Sequence, residues 1–217
     1  MSHLHQSQII RHLSSPIFII CSLFILHLVY ANEPALSAEK ETFTIDTDKS
    51  EIRWLGKKLA GKHNGSVRLR SGSVALTEGM ITEGTFVIDM LSIMNEDIES
   101  PQWRKKLEDH LKSADFFNVS TFPEGTFAIK GSEKQASDTV LIRGDLTIKG
   151  ISLPVSLVAS ISQKGDVYVA TGKATIDRTK WDIRYNSGKW FDPATLGDKL
   201  IYDDIEIEVT IVTLPSS

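Results

Sequence analysis

From Phe43 to the C-terminus the chain alternates apolar and polar residues with a period of two, and no other feature narrows its fold as far. Successive side chains of a strand point to opposite faces, so this alternation marks strands with one buried and one wetted face. Ile52 and Trp54 alternate with Glu51 and Arg53, and Val67 and Leu69 with Arg68 and Arg70. Val74 and Leu76 follow Gly72. Phe86, Ile88 and Met90 share one face of a stretch that begins at Met80; Phe127 and Ile129 share a face of the next. Val140, Ile142, Leu146 and Ile148 alternate, as do Leu153, Val155, Leu157, Ala159 and Ile161. A further strand runs over Val167–Ile176, and a last one, carrying Ile205, Ile207, Val209 and Ile211 on one face, spans Leu200–Leu214. Glu78-Gly79, Lys149-Gly150 and Gly165-Asp166 read as turns between them. Eight or more short strands with turn signals predict an all-β antiparallel barrel or sandwich. A membrane-spanning barrel does not fit, because Glu51, Arg68, Arg143, Glu206 and Glu208 occupy alternate strand positions and no paired aromatic girdles flank them.

One helix interrupts the β pattern. Ser100-Pro101 supplies an N-cap residue and a proline at the first helical position. Trp103, Leu107 and Leu111 then recur at a spacing of four, with Arg104, Lys105, Lys106, Glu108 and Asp109 between them. This helix is either a lid or plug at one end of the barrel or a packing helix over exposed sheet. The stripe is expected to face the barrel.

The N-terminus follows a different logic. A polar start with one fixed positive charge, Arg11, precedes an apolar run over Ile17–Val29 that ends at Tyr30-Ala31. The run is too short to span a bilayer and His27 interrupts it, so residues 1–31 read as a secretory signal peptide with cleavage after Ala31. Residues 32–41 are a flexible lead-in, and residues 42–217 form the folded domain. Cys21 follows the bulky Ile20, which argues against lipidation, and cleavage removes the chain's one cysteine. That excludes disulfides, cysteine nucleophiles and cysteine-ligated metals from the mature protein. A formal net charge of −4 gives no basic footprint for nucleic acid.

No nucleophile elbow, phosphate-binding loop, dinucleotide-binding turn or His-Glu-x-x-His helix is present. Only His63 and His110 remain after cleavage, and no histidine pair has metal-site spacing. His110 lies near the apolar helical stripe and, facing the core, would offer a hydrogen bond to a ligand's polar end. Ser113–Phe117 reads as a hydrophobic anchor at the helix end. Asp177–Gly188 reads as a self-satisfied hydrogen-bond network.

Several of these segments together resemble the YceI-like family. They are Ile45-Asp46, Ile52-Arg53-Trp54, Ile88–Ile93, the run KLEDHLKSADFF over Lys106–Phe117, and Gly144–Ile151. Asp177-Arg178-Thr179 with Ile183–Gly188 is similar to the form common in the Bacteroidetes branch. The resemblance implies an eight-stranded antiparallel lipocalin-like barrel closed by one inserted helix. It also implies a periplasmic or secreted protein that is not an enzyme and holds a long polyisoprenoid or fatty-chain molecule inside. Many members carry Arg-Asp before the His-Leu of the helix, where this chain has Glu108-Asp109, so a head group must be handled differently here.

In a closed barrel the apolar parity of each strand points inward. The expected lining is therefore Trp54, Leu69, Phe86, Ile88, Phe127, Ile129, Leu146 and Ile148, with Trp103, Leu107 and His110 at the lid. Phe86 and Phe127 are bulky enough to set its width. The partner is a long-chain apolar small molecule such as an isoprenoid, an isoprenoid quinone or a similar lipid, with no cofactor or metal required. No integral membrane segment remains after cleavage, and a homodimer stays open. Two other readings compete: an enzyme with His63 or His110 as general base, and a structural barrel with a filled core.

Export carries its own test. The secreted protein is expected to begin at Asn32 and to be free of the membrane. N-terminal sequencing that finds Met1 on membrane-bound protein contradicts this.

Overall fold

The computed structural model describes residues 39–136 and 138–215. Residues 1–31 with Cys21, read above as a signal peptide, and residues 32–38 of the expected lead-in lie outside the described residues. The strands are β1 (Lys40–Thr44), β2 (Glu51–Lys58), β3 (Gly61–Thr77), β4 (Met80–Asn95), β5 (Glu124–Lys134), β6 (Thr139–Ile148), β7 (Ile151–Lys164), β8 (Val167–Asp177) and β9 (Ile201–Val212). Helix α1 (Pro101–Lys112) joins β4 to β5. A longer crossing from β8 to β9 holds a 3-10 turn (Arg178–Trp181), the short helix α2 (Pro193–Leu196) and a second 3-10 turn (Gly197–Lys199). β1 takes in Lys40 and Glu41, which sequence reasoning assigns to the lead-in; they pair with Thr77 and Leu76 of β3.

The nine strands occupy eight barrel positions. Every pairing is antiparallel, and β3 bonds to β4 as well as to β1 and β2, which closes the sheet. β1 pairs with Ser73–Thr77 of β3 and β2 with Gly61–Val67, so the two lie end to end as one broken strand. The break is a tight turn. Asp46 N donates to Val212 O (2.8 Å), Ser50 N to Asp46 O (3.0 Å), and Val212 N to Ser50 Oγ (2.9 Å). These bonds satisfy the backbone groups that the interruption would leave unpaired.

Strand parity is not constant, which corrects the assumption that each strand keeps one apolar face throughout. In β3 the side chains that line the interior are the odd-numbered His63, Val67 and Leu69, and beyond them the even-numbered Val74 and Leu76. The register shifts between Leu69 and Ser71, where β3 has one residue more than its partner. In β4, Ile81 is buried, then Phe86 and Met90, then Ile93 and Asn95, with register shifts on either side of the middle group. An extra residue at a β-bulge turns the following side chains over, so the apolar pattern must skip with it. The second bulge in β4 is stabilised locally: Arg68 N donates to Ser92 Oγ (2.8 Å), and that hydroxyl donates to Asp89 O (2.6 Å).

Helix α1 begins at Pro101 as expected, but Ser100 makes no side-chain cap. Its carbonyl accepts from Arg104 N (2.9 Å), while Arg104 Nε donates to Ile98 O (2.9 Å). The helix packs on β4, and Glu108 accepts from Asn95 N (2.9 Å). With α1, the β8–β9 crossing and the β2–β3 hairpin all at one end, the barrel has an elaborate end and a plain one. The plain end carries the β3–β4, β5–β6 and β7–β8 turns.

Close backbone approach limits the sequence where β2, β3 and β4 meet. A Cβ on Gly65 would sit 1.9 Å from the Met94 carbonyl oxygen and 2.7 Å from the Trp54 ring. Gly56, two strand positions from Trp54, has nothing within 4 Å of such a Cβ. Gly65→Ala should destabilise the protein by about 3 kcal/mol and Gly56→Ala by less than about 0.5 kcal/mol, read by chemical denaturation. Equal effects would contradict this account of the packing.

Candidate ligand-binding site

The interior is hollow because one wall is made of small residues. The inward row of β8 is Tyr168, Ala170, Gly172, Ala174 and Ile176. Gly172 pairs with Ala159 of β7 and Val209 of β9, and Leu157 lies over it, 2.5 Å from where a Cβ would stand. Gly56 adds a second gap on β2. Across the barrel from β8, Phe86 and Phe127 stand side by side on the adjacent strands β4 and β5 and project inward. Bulk on one side and its absence on the other leave a cavity of about 300 Å³. That is the low end of the range for small-molecule pockets. The cavity's reach is long. β9 and the following Thr213 line it from Ile201 to Thr213. At about 3.3 Å per residue and a strand tilt of about 40°, this corresponds to about 30 Å along the barrel axis.

Accessibility agrees with a hollow interior. Val155, Leu157, Ile161, Ile205, Ile207, Val209 and Ile211 all line the cavity, yet each remains only half-buried. In a close-packed core such residues would lose nearly all their accessible surface. The plain end is shut by Phe43, whose ring meets Tyr168 edge-on at 5.0 Å, and by the buried Val74, Leu76 and Ile81. At the elaborate end the cavity reaches the exposed side chains of Lys57 and Tyr202. The channel therefore has one closed end and one mouth.

The floor beside that mouth is built on Arg178. It is 2% exposed, and its guanidinium donates to the carbonyls of Ile183 (2.8 Å), Ile201 (3.0 Å) and Tyr202 (3.2 Å). Nη2 also lies 3.4 Å from Asp203 Oδ1, an ion contact without hydrogen-bond geometry. Burial lowers the Arg178 pKa, and the charges of Asp203 and Asp177 oppose that shift. Asp177 accepts from Thr179 N (3.0 Å) and Thr179 Oγ1 (2.6 Å), and its other oxygen meets Lys189 (2.6 Å). Trp181 Nε1 donates to Leu146 O (3.1 Å). The Asp177–Thr179 turn is bonded within itself as its composition suggests, but the segment is not self-satisfied: Arg178 and Trp181 bond to Ile201, Tyr202 and Leu146 outside it and so pin the β8–β9 crossing over the barrel. Phe116, likewise, is the buried anchor expected at the helix end, packed with Ile148, Trp181 and Ile183.

Of the residues expected to line the interior, Trp54, Leu69, Phe86 and Ile88 do so, as do Phe127, Ile129, Leu146 and Ile148. Leu107 also reaches the cavity, together with Leu111. Trp103 does not. It is 59% exposed, with the Lys106 ammonium 4.9 Å above its ring. The apolar stripe of α1 outruns the cavity by a turn, so its first member is left outside. His110 also lies outside the cavity lining. Its ring stands edge-on to Tyr185 (4.6 Å) and Phe116 (5.0 Å), and its Nε2 is 3.1 Å from Asp115 Oδ2. His63 does line the cavity near the mouth, with Nδ1 2.9 Å from Asp97 Oδ2. Burial works to raise the Asp97 pKa, but bonds from Asn64 N, His63 and Asn95 outweigh it and leave it lowered. The two histidines share no carboxylate, and among the described residues neither bonds a hydroxyl or thiol.

The small row of β8, the β7 and β9 walls and Arg178 are lining residues that sequence reasoning did not name. The parity of Ala170, Gly172 and Ala174 was the available signal, since three small residues on one inward face cannot fill a barrel.

A closed antiparallel barrel with an internal apolar channel defines the class of this protein. Within that class the chain belongs to the YceI-like family, whose YceI-like domain model matches residues 43–213. The Protein YceI sequences of Salmonella arizonae and Salmonella newport are each 42% identical over 59 residues, 27% of this chain and 30% of theirs. The match thus spans under a third of those curated relatives. BcnA of Burkholderia cenocepacia has a similar fold, with TM-score 0.63 and 21% identity over 78% of this chain and 99% of that one. So does a polyisoprenoid binding domain from Saccharophagus degradans, with TM-score 0.55 and 12% identity over 80% of this chain and 98% of that one.

Arg178 offers the sharpest test of the site's framework. Arg178→Ala leaves three carbonyls and Asp203 without their partner and should cost about 3–5 kcal/mol, lowering Tm by about 10 °C. Arg178→Lys should not rescue it, because one ammonium cannot match a planar fork of donors. A wild-type Tm in the Lys variant would show that charge alone suffices.

Proposed function

We propose that this protein is an exported carrier or buffer that holds a long apolar molecule in its barrel and performs no chemistry on it. The supporting observation is the channel itself, elongated, closed at one end and lined by aliphatic and aromatic side chains. Burying a hydrocarbon chain there removes apolar surface from water at about 25 cal/mol per Å², which supplies affinity without catalytic groups. The Saccharophagus degradans domain of similar fold is described as polyisoprenoid binding, and the proposal extends that ligand class, with isoprenoid quinones and fatty chains, to this chain. The histidines offer an enzyme little. His63 has a carboxylate to orient it but no nucleophile, and His110 lies outside the cavity lining. A periplasmic or secreted location follows from the signal peptide reading.

A filled structural barrel is the contrary reading, and Ile88 separates the two. It lines the cavity between Leu69 and Gly125 on the flanking strands. Ile88→Trp should fill part of the channel and reduce the lipid extracted from the purified protein about tenfold, a loss of about 1.4 kcal/mol in binding, while Tm holds. Native mass spectrometry with organic extraction reads the first quantity and thermal unfolding the second. Destabilisation by about 1–3 kcal/mol with no lipid in either protein would identify a solid core instead.

A further inference from the structure

Most of the exposed large apolar side chains lie at or near the mouth, Leu91 and Met94 of β4 among them, while Val158 stands on the outer wall of β7. Leu59 is at the tip of the β2–β3 hairpin, Trp103 is on α1, Trp190 and Phe191 are on the β8–β9 crossing, and Tyr202 begins β9. Each is between 46% and 59% exposed. The hairpin and crossing are joined directly, since Leu59 N donates to Leu200 O (3.0 Å). At the plain end Leu214 is the only exposed large apolar residue among the described residues.

Charge follows the same asymmetry. Residues 57–63 contain Lys57, Lys58, Lys62 and His63 and no acid. Lys58, Lys62, Lys180 and Lys199 make no ion pair among the described residues. Most acids of this end are engaged within the protein. Asp97 is held by His63, Asp109 by Lys105 and Asp182 by Arg184, while Asp192 caps α2 through Ala194 N and Thr195. Lys57 is paired with Glu206, and Glu99 and Asp198 make no ion pair among the described residues, so the cationic part of the mouth is the β2–β3 hairpin and the β8–β9 crossing, where Lys58, Lys62, Lys180 and Lys199 share segments with Leu59, Trp190 and Phe191.

We propose that this end docks on the surface of an anionic lipid bilayer and that ligand passes between bilayer and cavity there. The proposal rests on the reading of the cavity as a lipid site. Tryptophan and tyrosine favour the boundary between hydrocarbon and water, and lysines keep their ammonium groups among anionic head groups while their stems lie along the apolar layer. Anionic leaflets attract such a cationic rim over about a Debye length. The cavity reaches solvent at Lys57 and Tyr202, within this ring. A ligand with a long apolar tail could then move from bilayer to barrel without exposing that tail to water.

The test uses protein secreted by an expression host, with the N-terminus that sequencing finds, and vesicles of phosphatidylcholine with or without phosphatidylglycerol. Wild-type protein should sediment with the anionic vesicles, release as salt rises, and show tryptophan quenching by lipids brominated on the acyl chain. Trp190→Ser with Phe191→Ser should lower the bound fraction about tenfold at unchanged Tm. Lys62→Glu with Lys199→Glu should do so on anionic vesicles, and Leu214→Ser at the plain end should change nothing. Absence of sedimentation or quenching, or equal sedimentation of wild type and ring variants, overturns the proposal and leaves the ring to a protein partner. Lipid extracted from the same preparations reports on the cavity separately. A barrel that carries lipid but ignores vesicles refutes docking alone, and one that docks but is empty refutes the ligand reading alone.

Discussion

The bonding of β3 to β4 is the contact on which everything else depends, because it turns a sheet into a tube. An open sheet of this length would present two edges and an apolar face with nothing to cover it. Closure removes the edges and directs the apolar face of every strand toward one axis. It also fixes the interior width, since strand number sets barrel diameter. What the protein does with that interior is decided afterwards by side-chain volume. Phe86 and Phe127 narrow the channel, whereas Ala170, Gly172 and Ala174 open it. A few methyl groups on β8 are the difference between a packed core and a container.

A hollow interior carries an energetic cost, since lining side chains have lost packing partners on one side. The compensation is concentrated at the ends. The plain end is a compact cluster of Phe43, Ile45, Val74, Leu76 and Ile81. The elaborate end has two clusters, around Trp181 and Ile183 and around Met90, Ile93 and Val119. Arg178 ties the first of these to the strands. Its donors replace the backbone pairing that ends where β8 gives way to the crossing, so a charge sits in the fold's interior with its hydrogen bonds satisfied. A ligand entering the channel would supply dispersion contacts that the empty walls lack.

Much of this was legible in the sequence, because period-two alternation and turn residues are local signals. The strands, the position of α1 and the named lining residues of β2 to β6 follow from them, whereas the β7, β8 and β9 walls of the cavity were not named. Trp103 was misplaced because a helical stripe shows which residues share a face but not how far the opposing surface extends. The parity changes in β3 and β4 were hidden for a related reason. A bulge is a property of a pair of strands, and its extra residue is defined only against the partner's register. Arg178 stood within a segment recognised as a network. Its burial depended on carbonyls of Ile201 and Tyr202, more than twenty residues on. Chain distance hides such partners.

The two ends of the barrel divide stability from traffic. In an up-and-down barrel, connections alternate between ends, so insertions confined to every second connection all arrive at the same place. Here the β3–β4 and β7–β8 turns are two-residue links, whereas the β4–β5 and β8–β9 connections hold every helix of the described residues. Loops tolerate insertion and carry function where a rigid scaffold presents them. The scaffold's closed end can therefore remain well packed while the other end varies. Because Leu107, Leu111 and Tyr202 belong to mouth segments and also line the cavity, an inserted residue at that end alters both entry and the nearest part of the binding surface. The deeper walls, made by alternating strand residues, remain set by barrel geometry. Tail recognition deep in the channel and head-group recognition at the mouth are thus physically separable, which lets one fold hold the same apolar chain behind different rims.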